Sequence, residues 1–151
     1  MKGDKAVFVD TNVLIYANLA EMPLHPEASA AMSLLSEANT QVWISLQVLR
    51  EYIAITSRKD MFKQPLPMAT ISLRVRQFQG LFHVAQDNPL VLSNLLTLLE
   101  EFPVGGKQIF DANIVATMMA YNIPQIITHN VKDFQRYSAY VTVIPLVSPK
   151  A

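Results

Sequence analysis

At 151 residues, with 51% hydrophobic and 16% charged residues, the chain is long enough for one well-filled core and too apolar for disorder. Twelve Lys plus Arg balance twelve Asp plus Glu, so bulk charge selects no partner, and a nucleic-acid ligand would have to be drawn by a local basic patch. The absence of cysteine excludes disulfides, thiolate zinc sites and cysteine nucleophiles.

Short apolar β-type runs alternate with stretches at helical spacing. The runs are Ala6–Val9, Gln41–Ile44, Leu81–Val84, Gln125–Ile127 and Tyr140–Ile144. They are largely apolar on both faces, as strands of a buried parallel sheet are. The spacing predicts helices over Asn12–Leu19, Pro26–Ala38, Leu46–Arg58, Met68–Gln79, Leu90–Glu101, Ile109–Tyr121 and Val131–Arg136. Pro23, Pro26, Pro103, Gly105-Gly106 and Pro124 punctuate the boundaries. The alternation predicts an α/β three-layer sandwich with a five-stranded, mostly parallel sheet. No repeat, low-complexity tract or linker divides the chain, so one domain is expected over residues 1–151. The opening MKGDKAVFVD has no signal-peptide core, and no run approaches the roughly 20 apolar residues of a spanning helix. A cytoplasmic protein without membrane contact is the expectation.

Asp10 closes the first run, just where a helix begins. An Asp there caps a helix or makes an Asx turn in any fold. It also stands where open α/β sheets gather their ligands. A haloacid-dehalogenase-type phosphatase needs a second Asp two residues on, where this chain has Asn12, and a response-regulator receiver needs an acidic pair, for which only the distant Asp4 is available.

Glu51, in SLQVLREYIAITSR, falls about 140° from Leu46 on a helical projection, at the margin of the apolar stripe. Asp111, in IFDANIVATMMAY, falls between Met118 and Val115, while Asn113 and Thr117 lie on the other side. A carboxylate with apolar flanks is costly unless paired, hydrogen-bonded or bound to a cation, although an acid in a first helical turn also gains from the helix dipole. After the fourth run, ITHNVKDF offers Thr128, Asn130 and Asp133 as oxygen donors, or simply a polar turn with Asp133 as a surface acid.

Carboxylates from such separated segments suit Mg²⁺ or Mn²⁺, which take hard oxygen ligands and leave room for water and substrate phosphate. Like charges persist together near neutral pH only when a cation compensates them. Metals held this way activate water and stabilise the leaving oxygen in phosphodiester hydrolysis. Four Gly and no Gly-rich loop exclude a Walker or Rossmann nucleotide site. His25, His83 and His129 are too scattered for a metal motif, and of the three only His129 neighbours the candidate residues.

Together VFVDTNVLIY, ISLQVLREY and IFDANIVATMMAYNIPQIITHNVKDF resemble the PIN-domain family, and within it the VapC-type toxins of toxin–antitoxin pairs. The order, spacing and context of the motifs carry the resemblance across nearly the whole chain. It implies a five-stranded parallel sheet and a Mg²⁺- or Mn²⁺-dependent endoribonuclease. The family's first Asp falls on Asp10, its helix Glu on Glu51 and its second Asp on Asp111, with Asn12 and Thr128 in support. The fourth acidic position is Asn130 here, which weakens the case for a second tightly bound metal but not for the first. Either Asp133 substitutes from the next turn, or Asn130 holds a metal-bound water. The resemblance also implies a homodimer and silencing by an antitoxin peptide.

Arg50, Lys107 and Lys132 sit close in sequence to the acidic positions and are expected to rim the site and contact RNA phosphates. Two other functions fit the same motifs: a catalytically weak PIN fold that binds RNA or protein, and a metal-dependent phosphatase of small esters.

Overall fold

A computed structural model describes residues 5–60, 62 and 64–148; Asp4 lies outside them. The strands are β1 (Ala6–Val9), β2 (Gln41–Ser45), β3 (His83–Ala85), β4 (Gln125–Thr128) and β5 (Thr142–Pro145). The helices are α1 (Thr11–Asn18), α2 (His25–Glu37), α3 (Leu46–Thr56), α4 (Met68–Leu81), α5 (Pro89–Glu101), α6 (Gln108–Ala120) and α7 (Val131–Phe134), the last continuing into a 3₁₀ turn at Gln135–Tyr137.

The five strands form one sheet in the order β3-β2-β1-β4-β5, and every pairing is parallel. β1 lies at the centre, with Phe8 opposite Trp43 on one side and Ile126 on the other. All four of its residues are buried, which explains a run with no polar face. The chain winds outwards from β1 to β3, then crosses back to β4 and β5. Right-handed crossovers therefore place α1–α4 on one face and α5–α7 on the other. The contacts agree: α1 packs on α2 and α3, α3 on α4, α5 on α6, and α6 on α7. This is the expected three-layer α/β sandwich.

Several boundaries shift from their sequence positions for local reasons. The third run was expected to start at Leu81, but Leu81 ends α4 and is 73% exposed. Phe82 caps that helix through its N–H to Phe78, so β3 starts only at His83, whose ring stacks on Trp43 of the neighbouring strand. Similarly, Tyr140 precedes β5 and turns its hydroxyl to Glu101.

Two helices end on a left-handed asparagine where glycine is the usual residue. Asn39 and Asn122 take left-handed backbone angles, φ 53° and 57°. Thr40 N–H then donates to Leu35, and Ile123 N–H to Met118. Both are Schellman caps, and each turns the chain straight into a strand. Asn tolerates this conformation, whereas other side chains cost roughly 1–2 kcal/mol there. Asn122→Ala should therefore lower stability by about 1 kcal/mol while Asn122→Gly should be neutral or better, as chemical denaturation will measure.

Candidate active site

The switch in winding direction lies between β1 and β4, where open parallel sheets leave a crevice beyond their carboxyl ends. Both strands end there in polar residues. Asp10 follows β1, and its N–H donates to Ile127 of β4 at 3.1 Å, extending the ladder by one residue. It also caps α1, its Oδ1 accepting Thr11 N–H at 2.8 Å, so the capping role read from sequence is real. Its Oδ2 accepts from Asn12 Nδ2 at 3.2 Å and from the Thr128 hydroxyl at 2.7 Å.

These bonds also lock their donors. Asn12 Oδ1 accepts His129 N–H at 3.1 Å, a partner that can only donate, so the amide NH₂ must face Asp10. Thr128 Oγ accepts Asn130 N–H at 3.0 Å and spends its single proton on Asp10. The loops after β1 and β4 are thus clamped together around one carboxylate.

Glu51 arrives from α3, which starts at Ser45, the last residue of β2; the Ser45 hydroxyl accepts Val48 N–H at 3.3 Å as the cap. Thr11 bridges Glu51 to Asp10. Its N–H holds Asp10, and its hydroxyl donates to Glu51 Oε1 at 3.1 Å. Asp111 comes from the other face of the sheet, in the first turn of α6. Gly106, with φ 60°, makes the left-handed turn that precedes this helix.

The three carboxylates meet in a cavity of about 240 Å³ that Asn12 and Asn130 also line, with Ile15, Tyr16, Met22 and Ile55 as its apolar wall. Asp133 is exposed and lines the adjoining cavity with His129, Asn130, Val131 and Lys132. Its charge nevertheless reaches both Asp10 and Asp111. His129 packs its ring edge against Tyr16 at 5.8 Å.

The three cations lie in three different places. Lys107 is exposed at the start of α6, and Lys132 lies beyond Asn130. Arg50 rims a neighbouring, largely apolar cavity of about 520 Å³, which Glu51 also lines, and pairs there with Asp87 at 3.6 Å. Thr11, Gln47 and Asn113 are site residues that the sequence reading did not single out. Gln47 stands one helical turn before Glu51 and donates to it at 3.3 Å, a spacing that could have flagged it.

Burial raises the Asp10 carboxyl, opposed by its bonds from Thr128, Thr11 and Asn12, and Asp133 raises it further. Burial likewise raises Glu51, with Thr11 and Gln47 opposing and Asp10 adding. Asp111 is pushed to about 7, first by burial, then by the charges of Asp133, Asp10 and Glu51, with Arg136 opposing. Among the described residues no three His, Cys, Asp or Glu side chains are drawn close enough to enclose a metal ion. The donor chemistry fits a hard divalent cation all the same: the cavity offers carboxylate, hydroxyl and amide oxygens, and no thiolate or imidazole.

The raised Asp111 carboxyl makes stability depend on pH. Folded, it keeps its proton up to about 7; unfolded, it releases it near 3.8. The folded state binds more protons between those values, so stability falls as pH rises through that window. In metal-free buffer the melting temperature should drop from pH 4 to pH 7. Asp111→Asn should recover roughly 1–2 kcal/mol of this at pH 7, after discounting for solvent screening of a partly exposed group. Scanning calorimetry of both proteins across pH measures the difference.

The family model for the PIN domain matches residues 7–140. No curated protein matches the chain by sequence. Among solved structures, it is similar to VapBC2 from Rickettsia felis bound to a promoter DNA fragment, with 19% identity over 93% of this chain and 98% of that one, at a TM-score of 0.66. A toxin–antitoxin complex from Klebsiella pneumoniae gives 22% identity, 95% and 99% coverage and 0.66. The sarcin–ricin-loop-cleaving toxin VapC20 of Mycobacterium tuberculosis gives 18%, 92% and 99%, and 0.66. At such identities the likeness shows the fold. The family model covers most of the chain, and on that ground the chain belongs to the PIN domain family.

Proposed function

We propose that the protein is a metal-dependent endoribonuclease and the toxin of a toxin–antitoxin pair. The observation that carries this reading is the meeting of Asp10, Glu51 and Asp111, from three distant segments and both faces of the sheet, in one polar cavity at the switch point. A module that only binds RNA or protein has no physical reason to gather mutually repelling carboxylates, each with its pKa raised. The similar solved structures from Klebsiella pneumoniae and Mycobacterium tuberculosis, a toxin–antitoxin complex and a sarcin–ricin-loop-cleaving toxin, support the biological role.

In this reading Asp10, Glu51 and Asp111 hold Mg²⁺ or Mn²⁺, which supplies activation of water and charge stabilisation at the phosphate when bound. Thr128, Asn12 and Thr11 keep Asp10 and Glu51 oriented. Asn130 fills the fourth position from inside the cavity, and Asp133 acts on it by charge from outside. Lys107 and Lys132, together with Arg50 once released from Asp87, contact RNA phosphates. Changing all three to Ala should weaken RNA binding and flatten its dependence on log salt by at most about three. An antitoxin segment occupies the acidic cavity in the silenced state, and the working form is a cytoplasmic homodimer.

For the dimer, α5 is the favoured face. Leu90, Leu92 and Leu96 are each more than half exposed, and so is Phe110, which lines the apolar cavity with Leu95 and Ile109. Leu92→Glu with Leu96→Glu should give a monomer by light scattering at micromolar concentration; a dimer that survives the change places the interface elsewhere.

Asp111→Asn tests the enzymatic role. It should abolish Mg²⁺- or Mn²⁺-dependent cleavage of RNA and the growth arrest caused by expression, while circular dichroism remains that of the parent. Unchanged cleavage by the folded variant would return Asp111 to a helix-terminus role, and hydrolysis of a chromogenic phosphate ester in preference to RNA would favour a phosphatase.

A further inference from the structure

Gln47 makes more hydrogen bonds than a surface glutamine needs. From α3, its Nε2 donates to the Phe110 carbonyl of α6 at 3.0 Å and to Glu51 Oε1 at 3.3 Å. Its Oε1 accepts from Asn113 Nδ2 of α6 at 2.8 Å. A backbone carbonyl can only accept, so the Gln47 amide has one permitted orientation. That orientation in turn fixes Asn113, which must present its NH₂. Both Gln47 protons are committed, one to each helix.

The consequence is geometric. Phe110 immediately precedes Asp111 and Asn113 follows two residues later, so Gln47 grips α6 on both sides of that carboxylate. With its other proton it holds Glu51. The helices come from opposite faces of the sheet, and among the described residues this amide supplies the side-chain hydrogen bonds that join α3 to α6. Thr11 and Gln47 both engage Oε1 of Glu51, and no described residue donates to Oε2.

We propose that Gln47, oriented by the Phe110 carbonyl and braced by Asn113, is a positioning residue that sets the spacing between the Glu51 and Asp111 carboxylates and leaves Glu51 Oε2 open to a cation. The proposal rests on the reading of these two acids as metal-holding groups. Gln47 touches neither ion nor substrate; it acts through Glu51 and the backbone beside Asp111.

Gln47→Met keeps the length of the side chain and removes all three hydrogen bonds. Isothermal titration with Mn²⁺ alone should show affinity reduced by on the order of 10-fold or more, the size typical of residues that orient metal ligands. Cleavage of an RNA substrate at saturating Mn²⁺ should lose kcat while KM for RNA stays near the parent value, because the amide holds no part of the RNA. Asn113→Leu should lose affinity in the same direction by less. The double variant should be no worse than Gln47→Met, since the pair acts as one unit.

Should Gln47→Met not fold, Asn113→Leu carries the test by itself, with reduced Mn²⁺ affinity expected. Parent-like Mn²⁺ affinity in a folded variant overturns the proposal, even where its melting temperature falls, because a purely structural residue destabilises without altering the ion site. A parent that takes up no Mn²⁺ overturns the underlying metal-nuclease reading, and the two failures are thereby distinguished.

Discussion

Carboxylates that share a cavity repel one another, and burial makes each costlier to ionise. The fold has to oppose this with donors, and it distributes them unevenly. Asp10 is only 6% exposed and receives bonds from Thr11, Asn12 and Thr128. Glu51 receives two, from Thr11 and Gln47. Asp111 has burial and three acids acting on it, with the charge of Arg136 in opposition, and no hydrogen bond from a described residue reaches its carboxyl, which is pushed to about 7. The least compensated carboxylate is where a cation brings the greatest relief.

A rigid frame is needed to hold such a cluster against its own repulsion. β1 provides it, buried throughout and flanked by parallel partners on both sides. Asp10 continues β1 as a further rung, and Thr128 ends β4 opposite it. The donors to Asp10 therefore come from the end of β4 and the first turn of α1, directly beyond the central strands. Glu51 and Asp111 enter on helices from opposite faces, and their separation depends on side-chain bridges, not on the sheet.

Much of this was legible in the residues themselves. The apolar runs gave the parallel sheet because strands buried on both faces leave no polar alternation. Asp10 and Asp111 carried local signals, a strand end and an acid between apolar neighbours, whereas Glu51 lay only at the margin of an apolar stripe and was joined to them by the order and spacing of the resembling motifs. The start of β3 was misplaced because apolar Leu81 and Phe82 run directly into the strand, and only the end of α4 separates them from it. The clamp by Gln47 and Asn113 joins residues 66 apart in sequence, and no local pattern announces it. Arg50 was visible as a cation, but its pairing with Asp87 depends on how the loop after β3 meets α3.

The most direct measurement is an anomalous difference map from crystals grown with Mn²⁺. A peak bonded to oxygens of Asp10, Glu51 and Asp111, and missing from crystals of the Asp10→Asn variant, is the predicted result. Saturating Mn²⁺ that leaves this cavity empty, or an ion held elsewhere on the chain while RNA is still cleaved, would contradict the assignment of these three carboxylates.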